Sequence, residues 1–333
     1  MSETYRVFGV ELSPYSVKVR SYFRYKRIPH DWIVRSIEVM DEYNKYAKLP
    51  LIPLVVSPDG TAMQDSTPII EAMERRVPDP ALQPSDATLA FLSALIEEYG
   101  DEWGNKPMFH YRWFYEADAE SAADRIARAM NPGLDADGLA NVKPAVKGRM
   151  VPRLKFVGSS PETKDQIEAS FLRQLAILER HLASRPFLFG GRPALADLGL
   201  YAQLYECLTD PTPGRIITET APRVRGWIAR MLDPHAEGDF EPWERLEPTL
   251  LPLLRDEIGA VFFPWTLVNA KAIAAGDAEM SCTLDGKPFA QEPQKYHAKS
   301  LGVLRQRYAG VADKSRLDPI LAHAGCLDPL RQS

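Results

Sequence analysis

Three short stretches near the N-terminus have residue types and spacing that could handle a thiol. In Ser13-Pro14-Tyr15-Ser16 a small hydroxyl stands where a β-rich run gives way to helical spacing. The first N–H groups of a helix lack intrahelical partners and carry the positive end of its dipole. A hydroxyl placed there can donate a hydrogen bond to a thiolate. Lowering a thiol pKa from about 8.5 by about 2 units takes roughly 2.7 kcal/mol. A helix N-terminus supplies about 0.3–1 kcal/mol, and a hydrogen bond to a charged group adds about 1.5–3 kcal/mol. The dipole alone is too weak; dipole and hydroxyl together suffice. Ser13 also reads as a plain helix cap, the usual role of serine at such a turn.

The second stretch is Ile52-Pro53, just before an apolar strand. Proline is tolerated at a strand start, and a cis bond there turns the Ile52 backbone outward, where an extended peptide could pair with it. A trans edge proline is the alternative. The third is Asp65-Ser66, directly ahead of Pro68 and a helical pattern. Ser66 can cap that helix, and the same N–H groups could hold a carboxylate instead.

These stretches need a frame. Residues 5–10 form a β-rich run, 15–27 place Val19, Tyr22 and Phe23 at helical spacing, and 31–34 read as a second strand. Residues 37–48 read as a second helix. Residues 51–56, the Ser57-Pro58-Asp59-Gly60 turn and residues 61–63 make a β-hairpin, and Ser66-Thr67-Pro68 opens a third helix. The order is βαβαββα. Pro78, Pro80 and Pro84 then mark a stiff linker. Beyond it the pattern is helical over 89–115, 119–130, 163–183, 195–208 and 221–232, then 243–258, 265–275 and 294–308. The clearest helix carries Ile167, Phe171, Leu175, Leu178 and Leu182 at spacings of three and four. The run Lys18, Arg20, Arg24, Lys26 and Arg27 reads as a solvated face.

The chain of 333 residues is long enough for two or three domains, and its 45% hydrophobic content supports a sizeable core. Forty basic against 45 acidic side chains leave a net charge of -5, which disfavours a general nucleic-acid binder. Cys207, Cys282 and Cys326 are widely spaced, and there is no CxxC, CxxH or HExxH, so neither a disulfide framework nor a metal site is expected. Residues 258–268, the longest apolar stretch, are too short to span a membrane and contain Pro264.

Four segments in this order carry a family resemblance: SPYSVKVR (13–20), LIPLVV (51–56), QDSTPIIEAME (64–74) and FLFGGRPALADLGLY (187–201). The chain resembles the glutathione S-transferases over residues 5–233. The resemblance implies a thioredoxin-like α/β domain (1–80) and an all-α domain (81–233). It implies nothing for a helical C-terminal extension (234–333). By resemblance Ser13 is the catalytic serine of the tau and zeta type, in a glutathione-binding turn with Pro14, Tyr15 and Ser16. Ile52 pairs with the cysteinyl unit, Pro53 is the family's cis-proline, and Asp65 and Ser66 hold the γ-glutamyl end. Asp197 buttresses the helical half, although Ala194 replaces the usual capping hydroxyl. Leu51 stands where the family often has Lys or Gln, leaving Lys48 as a displaced partner for the glycyl carboxylate.

Tyr99, Trp103, Lys106, His110 and Trp113 share one face of the first long helix in the second half, an expected pocket for an electrophile. A buried aromatic stripe is the alternative. Phe109, Tyr111, Phe114 and Tyr115 are assigned to the core. The expected protein is a cytoplasmic, homodimeric transferase joining the glutathione thiolate to a small apolar or aromatic electrophile. It uses glutathione as co-substrate, with no metal, nucleic acid or membrane. A glutathione-dependent lyase or isomerase and a non-catalytic glutathione- or partner-binding member are the rivals.

Overall fold

The computed structural model describes residues 4–332. Strand β1 (Tyr5–Gly9) is apolar on both faces: Val7 packs toward the helical half and Phe8 toward Tyr43 and Leu54. A strand buried on both sides must lie inside its sheet. The sheet order is β2-β1-β3-β4, with β2 (His30–Val34), β3 (Leu54–Val56) and β4 (Ala62–Gln64). β1 runs parallel to β2 and antiparallel to β3, which pairs antiparallel with β4. Helices α1 (Pro14–Tyr25), α2 (Met40–Tyr46) and α3 (Ser66–Arg76) complete the expected βαβαββα order.

The helical half contains α4 (Ala87–Glu102), α5 (Asn105–Phe114), α6 (Glu116–Met130) and α7 (Ala136–Met150). It continues through α8 (Lys164–His181), α9 (Leu195–Thr209), α10 (Pro211–Thr220) and α11 (Pro222–Met231). α4 crosses α9 backbone to backbone: a Cβ on Gly199 would lie 2.8 Å from the Glu97 carbonyl oxygen. That close approach seats α4 against α1, where Lys18 meets Glu97 and Asp101 at 2.5 and 2.6 Å. α1 is therefore not a solvated cationic face. Lys18 is buried between the two halves, while Arg20 and Lys26 are buried on partners of the α/β half, Glu11 for Arg20 and Glu74 with the Val77 carbonyl for Lys26.

The extension supplies α12 (Trp243–Leu253), which runs through a π-helical stretch into α13 (Phe263–Ala275). This continuous helix is long and apolar enough to cross a membrane, unlike the shorter stretch legible in the sequence. Here its apolar residues, from Leu246 to Trp265, pack into the chain's own core. A hairpin of β5 (Met280–Leu284) and β6 (Lys287–Gln291) follows, then α14 (Lys295–Gly310), α15 (Leu317–His323) and α16 (Leu327–Arg331). One hydrophobic cluster contains Val7, Tyr99, Trp227, Trp265 and Leu330, so the α/β half, helical half and extension share a core.

Candidate functional site

Ser13 caps α1 from an extended conformation, its Oγ accepting the Ser16 N–H at 3.3 Å. Its own hydroxyl proton is thereby left to donate elsewhere. The turn is braced from the helical half. Arg112 of α5 donates to the Leu12 carbonyl at 3.1 Å and is held by Glu206 and Asp210 at 2.6 and 2.7 Å. Tyr15 donates its hydroxyl to the Asp101 carbonyl and receives the Asn105 side chain, both at 3.1 Å. Burial, reinforced by Glu102 and Asp101, raises the Tyr15 pKa well above the ordinary tyrosine value, so it stays a donor.

Ser13, Pro14, Tyr15 and Ile52 line one cleft of about 760 Å³. The Ile52–Pro53 peptide is cis. The opposite wall is mostly apolar: Met108, Phe109 and Trp113 from α5, Ile126 from α6, Val146 and Met150 from α7. Arg35, Arg112, Arg149 and Arg153 also line it, and no carboxylate does. Arg112 is neutralised by its partners. Among the described residues the other three form no ion pair, and the Arg35 guanidinium lies over the Tyr43 ring at 4.5 Å. The cleft is apolar in body and cationic in charge.

Asp65 takes a left-handed backbone (φ +77°) just before α3 and makes no capping bond, leaving the first N–H groups of that helix without a side-chain acceptor. Ser66 is buried beside it. Asp65, Asp101 and Glu102 share a second cavity of about 200 Å³. Burial pushes the Asp101 carboxyl up, to about 7, against the pull of Lys18.

Several sequence expectations fall elsewhere. Lys48 is exposed and lines neither cavity; it gives only its backbone N–H to Gln64 at 2.9 Å. Arg35 is one of the four arginines that line the cleft instead. Ser16 is buried with its Oγ unpartnered, and Pro53 is buried. Of the expected electrophile face only Trp113 reaches the cleft. Tyr99 donates to Glu257 at 2.9 Å, Trp103 to Ser170 at 2.8 Å, and His110 meets Ser159 at 2.7 Å. Lys106 donates to Gln291 at 2.6 Å and sits 4.1 Å from the Trp265 ring centre, where burial pushes its pKa down, to about 7. The extension covers Tyr99, Trp103 and Lys106, and Ser159 with Glu168 closes off His110. Phe109, assigned from sequence to the core, is half-buried against it and also lines the cleft.

A thioredoxin-like α/β half docked on an all-α half, with a serine-capped helix at their junction, defines a class of thiol-handling proteins. The chain matches the glutathione S-transferase N-terminal domain over residues 7–81 and the glutathione S-transferase C-terminal domain over 161–230. It belongs to the glutathione S-transferase family. Among curated proteins it is similar to isoprene-epoxide–glutathione S-transferase of Rhodococcus sp. (strain AD45), 25% identical over 234 residues, or 66% of this chain and 92% of the relative. Among solved structures it is similar to a glutathione S-transferase from Rhodospirillum rubrum F11 (17% identity, TM-score 0.44, covering 73% of this chain and 98% of that one). The β-etherase of Sphingobium sp. strain SYK-6 is similar at 18% identity and TM-score 0.49, covering 68% and 94%.

Proposed function

We propose that this protein is a glutathione transferase in which Ser13 stabilises the glutathione thiolate and the adjoining cleft holds an apolar electrophile. The observation that carries the reading is the position of the Ser13 hydroxyl: at the start of α1, in the same cleft wall as Ile52, facing a largely apolar space of about 760 Å³. Ser13 donates to the sulfur, the α1 N-terminus adds its dipole, and the uncompensated arginines add a positive field. The thiolate then attacks the electrophilic carbon, forming the C–S bond while the leaving group departs or a strained ring opens. Holding both reactants in one cleft supplies the proximity. A relative whose name specifies an isoprene epoxide agrees with an apolar acceptor.

Arg35 is the proposed partner of the glycyl carboxylate, in place of Lys48. Arg149 and Arg153, at the far rim, select acceptors that add an anionic group to an apolar body. Titration calorimetry with glutathione, followed by matched benzylic acceptors with and without a carboxylate, tests this reading. We expect binding, turnover, and a preference of about threefold or more for the anionic acceptor. Absence of glutathione binding overturns the reading. The homodimer belongs to the same proposal, and sedimentation at twice the 37.4 kDa chain mass checks it.

A further inference from the structure

The turn that carries Ser13 is held from the helical half at two points, and only one of them faces the cleft. The Ser13 N–H donates to the Val10 carbonyl at 3.2 Å, which closes a four-residue turn with Glu11 and Leu12 at its centre. Arg112 of α5, a cleft residue, fixes the second central residue through the Leu12 carbonyl. Tyr205 of α9 fixes the first: its hydroxyl donates to Glu11 Oε1 at 2.5 Å. Both central residues of one turn are therefore tied to the other half of the molecule, each by a different helix.

Glu11 joins three further elements to that turn. Besides the Tyr205 hydroxyl it accepts both terminal nitrogens of Arg20, on α1, at 2.5 and 2.7 Å. The Arg20 guanidinium in turn lies over the Trp32 ring of β2, 4.6 Å from its centre. Burial opposes the charge on Glu11, but the hydrogen bonds from Arg20 and Tyr205 hold its carboxyl below the usual carboxylate range. The Tyr205 bond is thus charge-assisted, which makes it short and directional. Tyr205 does not line the cleft, so its hydroxyl reaches the site only through the turn. Arg112 alone would leave the Val10–Glu11 peptide free to pivot and swing Ser13 with it. A hydrogen bond from Ser13 weakens steeply as its angle closes, and a shift of about 1 Å is enough to spoil a reacting geometry. The second anchor removes that freedom.

We infer that Tyr205 is a positioning residue for the Ser13 chemistry: its hydroxyl, acting through Glu11, fixes the turn that presents the Ser13 hydroxyl to the sulfur. The inference rests on the reading of Ser13 as the thiolate's donor and extends it to a helix of the other half. Thiol activation then depends on how the α/β half docks on α9, although α9 touches neither reactant.

The test is ultraviolet titration of the bound thiolate, with turnover, in four full-length proteins: wild type, Tyr205→Phe, Ser13→Ala and the double variant. Tyr205→Phe keeps the ring and its contact with Tyr201, and Arg20 still pairs with Glu11, so the fold is retained. We expect it to raise the pKa of bound glutathione by about 0.5–1 unit and to lower kcat about three- to tenfold, with affinity kept within about twofold. In the Ser13→Ala background the same substitution should change neither quantity, because its route to the sulfur is gone. A lowered denaturation midpoint with an unmoved titration would show a purely structural role and overturn the inference. An equal shift with and without Ser13 overturns it too. If Ser13→Ala itself titrates and turns over like wild type, the underlying reading falls with it.

Discussion

At the scale of single residues, the proposed site divides labour between a hydroxyl and several guanidinium groups. Ser13 is legible because a serine at a strand-to-helix turn has few things to do, and Ile52-Pro53 and Asp65-Ser66 are legible for the same local reason. The arginines are not. Arg35, Arg149 and Arg153 come from a loop after β2, the end of α7 and the turn beyond it, and only the fold brings them to one cleft. Lys48 illustrates the converse: the family resemblance offers it as a displaced ligand, yet its side chain is exposed outside the cleft. Exposed charge pairs contribute about 0.2–1 kcal/mol each. Arg149→Gln and Arg153→Gln are therefore each expected to lower kcat/KM for a carboxylate-bearing acceptor about two- to fivefold. The neutral analogue should be unaffected, as paired kinetic assays would show.

At the scale of elements, the break between α4 and α5 decides what the aromatic face does. The spacing of Tyr99, Trp103, Lys106, His110 and Trp113 assumes one continuous helix over 89–115. The helix instead breaks at Trp103-Gly104, where a Cβ on Gly104 would lie 2.4 Å from the Gly100 carbonyl oxygen. After the break Trp113 turns to the cleft, and the preceding four turn to α8 and the extension. Helix α7 carries no strong apolar stripe and contains Pro144, so periodicity does not reveal it. The β5–β6 hairpin did leave a signal, Asp285-Gly286 with both residues at positive φ, the pattern of a tight hairpin turn.

The same scale yields a pH prediction. His181, at the end of α8, accepts from Arg185 on Nδ1 at 3.0 Å and donates from Nε2 to the Leu188 carbonyl at 2.8 Å. Both bonds suit a neutral ring, and burial, helped by Arg185, pushes its pKa down, to about 4. A base with a lowered folded pKa contributes stability that is present above its unfolded value, about 6.5, and lost as pH falls toward the folded one. The wild-type chain should therefore lose up to about 1.4 kcal/mol per pH unit more than His181→Gln between pH 6.5 and 4. Denaturant unfolding of both chains across that range measures the difference. On α9, Asp197 receives the N–H groups of Leu188 and Ala194 and the Trp227 indole, all at 2.9 Å. Its bond from the Ala194 N–H is one half of a capping box, whose hydroxyl half Ala194 cannot provide. Asp197→Ala leaves those buried donors unpaired and is expected to cost at least about 2 kcal/mol in the same assay.

At the scale of the whole molecule, the extension changes how the other two parts are read. Its residues Glu257, Trp265, Phe289 and Gln291 complete the environment of Tyr99, Trp103 and Lys106. The sequence shows these elements as isolated helix candidates because their partners lie more than 100 residues away. Shared burial predicts shared unfolding. Trp265→Ala should destabilise the entire chain by about 3–5 kcal/mol. Its denaturation should remain one transition when followed by both far-ultraviolet dichroism and tryptophan fluorescence. A separate early transition would mean that the extension folds on its own core.

The central claim concerns a sulfur and a hydroxyl, and the ultraviolet absorbance of the bound thiolate reads it directly. Titrating that absorbance in the glutathione complexes of wild type and Ser13→Ala should show the bound thiol ionising about 2 units below its ordinary 8.5 in wild type. Loss of the hydroxyl should raise that value by about 1–2 units, with affinity kept within about threefold and kcat reduced about 10- to 100-fold. Identical titrations and identical turnover in the two proteins would contradict the account.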